Sequence, residues 1–350
     1  MISDDHLNPF NLDPAREFPH QIENVPNWTE HYFFYGYDAR ERHGMCVHIG
    51  RLPADPSIWR AVIQVYLPGE ELLVAKYHGR DGDGRGAGAG PFKLDCIEPM
   101  RCWTARFDGA MHATTRTALA RGLLVDGPAE PVSFQMLFEA AGPYYGPSES
   151  DHTDDGRSSG SFHTEQILRM RGEIRYRGKV ISLSGVGARD HSSGPRDYGP
   201  VISDMWIHGL FPSGKLFHAH IVRFEGAEVV GAYVFRNDGS PIEQVKILEH
   251  PPVNTADAPL ASLPSDPLRV NGGNYRLVLG TESGEEVYEI EMLHSHIITY
   301  RAPMEELIGT DFTPGGVQMC EAPMLVRCGG EEGVGLYERV ARTETLFVLE

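Results

Sequence analysis

Apolar and polar residues alternate in short runs along this chain, and the runs break at glycine-containing turns about every ten residues. "SIWRAVIQVYLPGEELLVAKYHG" reads as two strands around Pro68-Gly69. "MWIHGLFPSGKLFHAHIVRFEGAEVVGAYVFRNDGSPIEQVKILEH" reads as a meander turning at Ser213-Gly214, near Gly226 and at Asp238-Gly239. "NYRLVLGTESGEEVYEIEMLHSHIITYRA" reads as a further hairpin. Runs of this length and period predict antiparallel sandwiches or barrels. Long stretches with apolar residues at helical spacing are missing. The expected class is all-β: two antiparallel β-barrel or sandwich domains packed together, with few helices. The polar stretch "GPSESDHTDDGRSSGS" suggests a boundary near residue 160, giving an N-terminal domain over 1–160 and a C-terminal one over 161–350. "GRDGDGRGAGAG" and the Pro-rich "HPPVNTADAPLASLPSDP" read as loops. The first lacks the lysine and the following helix of a phosphate-binding loop.

If Ser213-Gly214 forms a two-residue hairpin loop, Trp206 and His208 share a sheet face with Phe217 and Ala219. His218 and His220 then point the other way, beside Ile207 and Gly209.

The chain has 350 residues and a net charge of −18. That balance argues against nucleic acid and anionic membrane as partners. No apolar run approaches the length of a membrane helix. The first twenty residues hold no apolar core, and five scattered cysteines lack metal or disulfide spacing, so a reduced, cytoplasmic setting is expected. Oligomeric state is not set by the sequence, and a homodimer stays open.

The chemistry concentrates in "GVGARDHSSGPRDYG", Gly185–Gly199. A strand ends near Gly185 on this reading, so the cluster is a polar loop at a barrel mouth. His191 is the side chain suited to proton transfer near neutral pH. Asp190 or Asp197 would orient it, Arg189 and Arg196 would fix a substrate oxygen or the loop itself, and Tyr198 would donate a proton. The alternative is a structural loop whose arginines pair with its own aspartates. Trp206, His208, His218, His220 and Tyr145 are cavity-wall candidates; Glu165, Tyr144 and Trp103 are lesser ones, as readily explained by packing. Ser192 and Ser193 are too close to His191 in sequence for a working Ser–His pair. His218-x-His220 and His294-x-His296 each put two imidazoles on one side of a strand, which is half a zinc site by spacing. With 16 histidines such pairs also arise by chance. The expectation is no metal and no cofactor.

"HTEQ", "LSGVGARDHSSGPRDYG" and "GVGLYERVAR" together resemble the two-domain lipocalin-like proteins related to bacterial carotenoid hydratase, the hydroxyneurosporene synthases. That superfamily is also similar to cofactor-free cyclases of natural-product pathways. The resemblance implies two β-barrel-like domains with an apolar cavity at or near their junction. It implies a catalytic role for the motif histidine, His191, and for a tryptophan two places later, where this chain has Ser193. An alkene-derived cation wants an aromatic face, so this loss points away from polyenes. The expected activity is a cofactor-independent lyase or isomerase of hydratase–dehydratase type, acting on a hydrophobic aromatic or terpenoid molecule. The alternatives are a non-catalytic lipocalin-like carrier and a metal-dependent lyase using the H-x-H pairs.

Overall fold

The computed structural model describes all residues except 1, 3, 81–83, 126, 147–161, 197–198, 252–273, 302–304 and 344–350. Antiparallel strands make up most of the described residues, and contacts divide the chain into two units. Unit 1 is Met1–Thr114 with Asp126–Asp197; unit 2 is Thr115–Val125 with Tyr198–Glu350. The division expected near residue 160 falls inside unit 1, because the strands on either side of Arg177-Gly178 pair with unit 1 partners.

Unit 1 contains β1 (Trp28–Asp38), β2 (His43–Leu52), β3 (Asp55–Tyr66), β4 (Glu71–Gly79), β5 (Gly86–Ala89), β6 (Phe92–Glu98), β7 (Cys102–Thr115), β8 (Ala129–Ala140), β9 (Phe162–Tyr176) and β10 (Lys179–Pro195). The sheet order is β4-β3-β2-β1-β10-β9-β8-β7-β6-β5, and a β4–β7 pairing curls it into a barrel. The two-residue Arg177-Gly178 loop has positive φ at both positions, the turn whose twist matches flanking strands. Alternate side chains, among them Phe34, Ile63, Phe107, Met136 and Phe138, fill the interior. Gly86–Ala89, expected as loop, forms β5; a Cβ on Gly86 would fall 1.8 Å from the Leu94 carbonyl oxygen, so glycine permits the close pairing with β6. Before β1, Asp13 caps a 3-10 turn over Pro14–Glu17 by accepting from Ala15 N (2.9 Å). That turn delivers Glu17 into the protein, where it is fully buried.

Unit 2 contains β11 (Val201–Leu210), β12 (Leu216–Phe224), β13 (Ala227–Phe235), β14 (Glu243–Gln244), β15 (Lys246–Glu249), β16 (Asn274–Thr281), β17 (Gly284–Met292), β18 (His296–Arg301), β19 (Glu305–Ile308), β20 (Val317–Cys328) and β21 (Glu331–Arg342). The main path runs β14-β13-β12-β11-β21-β20-β17-β16-β15, with β18 joining β19 to β20. Val245 N donates to Ala232 O (3.0 Å), so the ends of this path meet. Met205, Ile207, Phe217, Ala219, Leu279 and Tyr288 lie in its core. The five cysteines are free thiols. No helix among the described residues is long and apolar enough to cross a membrane.

Candidate functional site

The polar motif is a strand, not a loop. β10 continues through it to Pro195, with β1 on one side and β9 on the other. Tyr32 and Thr164 flank His191 in register, while Phe33 and Glu165 flank Asp190. Strand alternation then sorts the motif. Arg189, His191 and Ser193 share the face that includes Tyr32. Asp190 and Ser192 take the opposite face.

His191 is fully buried, with Nε2 3.0 Å from Glu30 Oε1. Its ring stacks on Tyr32 (centroids 4.0 Å, interplanar 13°) and meets Phe162 edge-on at 5.1 Å. Glu30 also accepts from Arg51 Nε at 2.9 Å and from the His20 backbone N–H at 2.7 Å. Burial alone would push the Glu30 carboxyl up. The hydrogen bond from His191, with Arg51 and the His20 amide, outweighs burial and holds it below its ordinary value. An ionised carboxylate only accepts, so Nε2 of His191 carries the hydrogen and a neutral ring keeps its lone pair on Nδ1. That Nδ1 is buried and has no hydrogen-bond partner among the described residues.

His20 lies alongside, its ring centroid 4.9 Å from that of His191. Its Nε2 donates to the Arg16 carbonyl (3.1 Å), and its Nδ1 accepts from the Ser193 hydroxyl (2.6 Å). Burial pushes His20 down to about 4, so it is neutral at pH 7. Ser193 therefore pairs with a histidine 173 residues away rather than with His191. Donor atoms of His20, Glu30 and His191 lie within 4.8 Å of one another.

Arg189 is committed to a structural tie. It is fully buried and grips Glu17 through Nη1–Oε1 (2.9 Å) and Nη2–Oε2 (2.5 Å), while Nη2 also donates to Gln166 Oε1 (2.9 Å). Met100 N and Trp103 Nε1 donate to the same Glu17, each at 3.1 Å. Burial would raise the Glu17 carboxyl, and the Arg189 guanidinium holds it low instead. The partner of this motif arginine is thus neither a motif aspartate nor an open position for a substrate oxygen.

Asp190, expected to orient His191, faces away from it; Glu30 does that work. Burial pushes the Asp190 carboxyl up, against the charges of His163 and Arg196. On the same face, His163 Nε2 lies 3.0 Å from Glu165 Oε1, and Arg196 donates to the Ser192 hydroxyl. Tyr145 exchanges two backbone hydrogen bonds with Glu165, and its ring meets Phe10 edge-on at 5.2 Å. Asp197 and Tyr198 lie outside the described residues.

Trp206, His208, His218 and His220 belong to unit 2. Their sorting differs from the expectation by one residue of register. Trp206 pairs with His220 and His208 with His218, so all four share a face, opposite the core of Ile207, Phe217 and Ala219. The cause is the turn. Phe211 N donates to Lys215 O and Gly214 N to Phe211 O, closing a three-residue loop with Gly214 at φ +91°. A one-residue change in loop length flips every side chain of the partner strand. His218 stacks on Tyr233 at 4.9 Å, and Trp206 lies 4.9 Å from His208. His296 pairs with Glu321 (2.8 Å). Among the described residues, no donor group close enough to share an ion includes His218, His220 or His294.

Glu30, His20, Glu17 and Arg51 were not legible as site residues. Glu30 carried one faint signal: it is a lone acid in "NWTEHYFFYGY", a run too apolar for a solvated strand, and β1 is buried along its whole length.

The fold has solved counterparts. A Nitrosomonas europaea protein described as a candidate AttH aligns with TM-score 0.50 and 12% identity, covering 92% of this chain and 97% of that one. CghA, solved with Sch210972, aligns with TM-score 0.51 and 11% identity over 98% of each chain. Kievitone hydratase from Nectria haematococca aligns with TM-score 0.45 and 10% identity, over 90% of this chain and 89% of that one. At such identities the likeness of the first two shows a shared two-unit β fold. No curated protein matches the sequence. A family profile covers residues 13–254, most of the chain, and on that match the protein belongs to the family described as domain of unknown function DUF7064.

Proposed function

We propose that this protein is a lyase or isomerase of hydratase–dehydratase type, moving a proton on a hydrophobic small molecule at His191. The observation that carries the reading is the His191–Glu30 pair. A buried carboxylate fixes Nε2, and Nδ1 is left as an uncommitted base among aromatic rings. In a water-poor setting such a base retains its strength toward a C–H or O–H proton, and protonated it becomes the acid for the reverse transfer. Glu30 would stabilise the imidazolium as it forms. Tyr32, stacked on the imidazole, offers the aromatic surface that Ser193 does not. The fold shared with CghA, seen with Sch210972, supports a small organic ligand by analogy of fold alone.

The test is a screen of hydroxylated aromatic and terpenoid compounds, read by mass spectrometry for gain or loss of water or for isomerisation. Wild-type turnover that disappears in His191→Ala, with unchanged unfolding, is expected. Turnover persisting in that variant refutes the assignment. Ligand binding without any product would identify a carrier instead.

A further inference from the structure

We propose that His20, Glu30 and His191 form a binding site for a divalent transition metal, zinc by ligand type, and that occupancy silences the proposed base. The second part rests on the catalytic reading above; the first does not. The three residues come from separate stretches of unit 1 and converge with donor atoms within 4.8 Å. Two donors each about 2 Å from a tetrahedral ion stand roughly 3.3 Å apart. His191 Nε2 and Glu30 Oε1, 3.0 Å apart, already match that spacing.

The surroundings are those that orient metal ligands. His20 Nε2–H donates to the Arg16 carbonyl, which fixes the ring and presents Nδ1 as the ligating atom. With the hydrogen on Nε2, that Nδ1 is unprotonated; its lone pair accepts from the Ser193 hydroxyl, which must turn away for a metal to bind. Glu30 is held by Arg51 and the His20 amide, as a ligating carboxylate is held. Two imidazoles and one carboxylate suit zinc and its neighbours in the first transition row rather than calcium or magnesium.

Metal on Nε2 of His191 changes the tautomer. The hydrogen shared with Glu30 gives way to the metal, and a neutral ring must then carry its proton on Nδ1. The one uncommitted lone pair becomes an N–H donor, and the base is lost.

The chelator-stripped protein is titrated with zinc against a chromophoric chelator, with no substrate present. One zinc per chain is expected to compete in wild type. Its affinity should fall at least about tenfold in each of His20→Gln and Glu30→Gln, since even outer residues of a metal site cost that much. Equal affinity in wild type and both variants, or no competing zinc in wild type, overturns the site. Cobalt replaces zinc as a check needing no variant. Ligand-field bands without thiolate charge transfer are expected, and a thiolate band overturns the assignment. Turnover is then measured with zinc and after chelation. Reversible loss supports silencing, whereas full turnover with zinc bound removes that part and leaves the metal site standing.

Discussion

Replacing Arg189 with methionine removes the counter-charge from a carboxylate that has no access to water. Glu17 would keep its bonds from Met100 N and Trp103 Nε1 and lose two from the guanidinium. Breaking a buried ion pair from one side costs about 3–5 kcal/mol, because the stranded charge remains. For a unit of this size each kcal/mol is about 2–4 °C, so the melting transition should fall by roughly 6–20 °C. Urea unfolding followed by tryptophan fluorescence isolates the effect, since Trp28, Trp59 and Trp103 belong to unit 1 and only Trp206 to unit 2. Two internal checks follow. Adding Glu17→Gln to Arg189→Met should cost less than the two single changes summed, by roughly 1–3 kcal/mol, because the second change removes the stranded charge. The pH dependence of the deficit should also have a definite sign. Arg189 holds the Glu17 carboxyl low; without it, burial raises that carboxyl. A raised folded-state value gives stability present at low pH and lost as pH rises, so the deficit should shrink on acidification. A loss under about 1 kcal/mol, additive single and double variants, or a deficit growing toward acid would each refute the structural role of Arg189.

Glu30→Gln puts an amide between His191 and Arg51, which both donate to the carboxylate. It should cost about 1.5–3 kcal/mol in urea for the lost charged bond, and lower turnover at least about a hundredfold; activity within a few-fold of wild type would exclude Glu30 from proton transfer. Acid should destabilise the protein in two stages. His20, lowered from 6.5 to about 4, contributes stability present above pH 6.5 and lost as pH falls toward 4. Glu17 and Glu30, also lowered, add a loss below their ordinary range, while His163, raised by Glu165 against burial, contributes in the opposite sense as pH rises. Calorimetric melting of His20→Gln between pH 7 and 4 should show a flatter decline than wild type, and an unchanged slope would contradict the burial of that ring. Gly214→Val forces a β-branched residue to φ +91°, with its Cβ 2.6 Å from Asn237 Nδ2. The strain should lower the unit 2 transition by about 1–3 kcal/mol, and no change would mean the turn relaxes to another register.

Turn residues and two-residue alternation made the strands legible, because both are local properties. Pro68-Gly69 and Gly226 turn the chain where the sequence suggested, and Gly69 and Gly226 take positive φ there. The failures came where one strand depends on another. Ser213-Gly214 marked a turn correctly, but its residue identities did not show that Pro212 makes the loop one residue longer. That one residue decides which face His218 and His220 occupy. The motif around His191 looked like a loop because polar residues dominate it. It is a central strand because partners from elsewhere take up its buried polar side chains: Glu17 for Arg189, Glu30 for Nε2 of His191 and His20 for Ser193. Those partners lie over 160 residues away in sequence, so nothing local announced them. Ser193 was legible as a departure from the resembling family, yet its hydrogen bond to His20 was not.

Nitrogen NMR of the protein labelled at histidine tests the arrangement at His191 most directly. The ring among the 16 histidines is assigned by its absence in His191→Gln. Over the pH range where this ring is neutral, the account predicts hydrogen on Nε2 and a bare lone pair on Nδ1, with the tautomer preference lost in Glu30→Gln. A hydrogen on Nδ1 in wild type would mean that Glu30 does not hold the ring, and the base would not exist where the account places it.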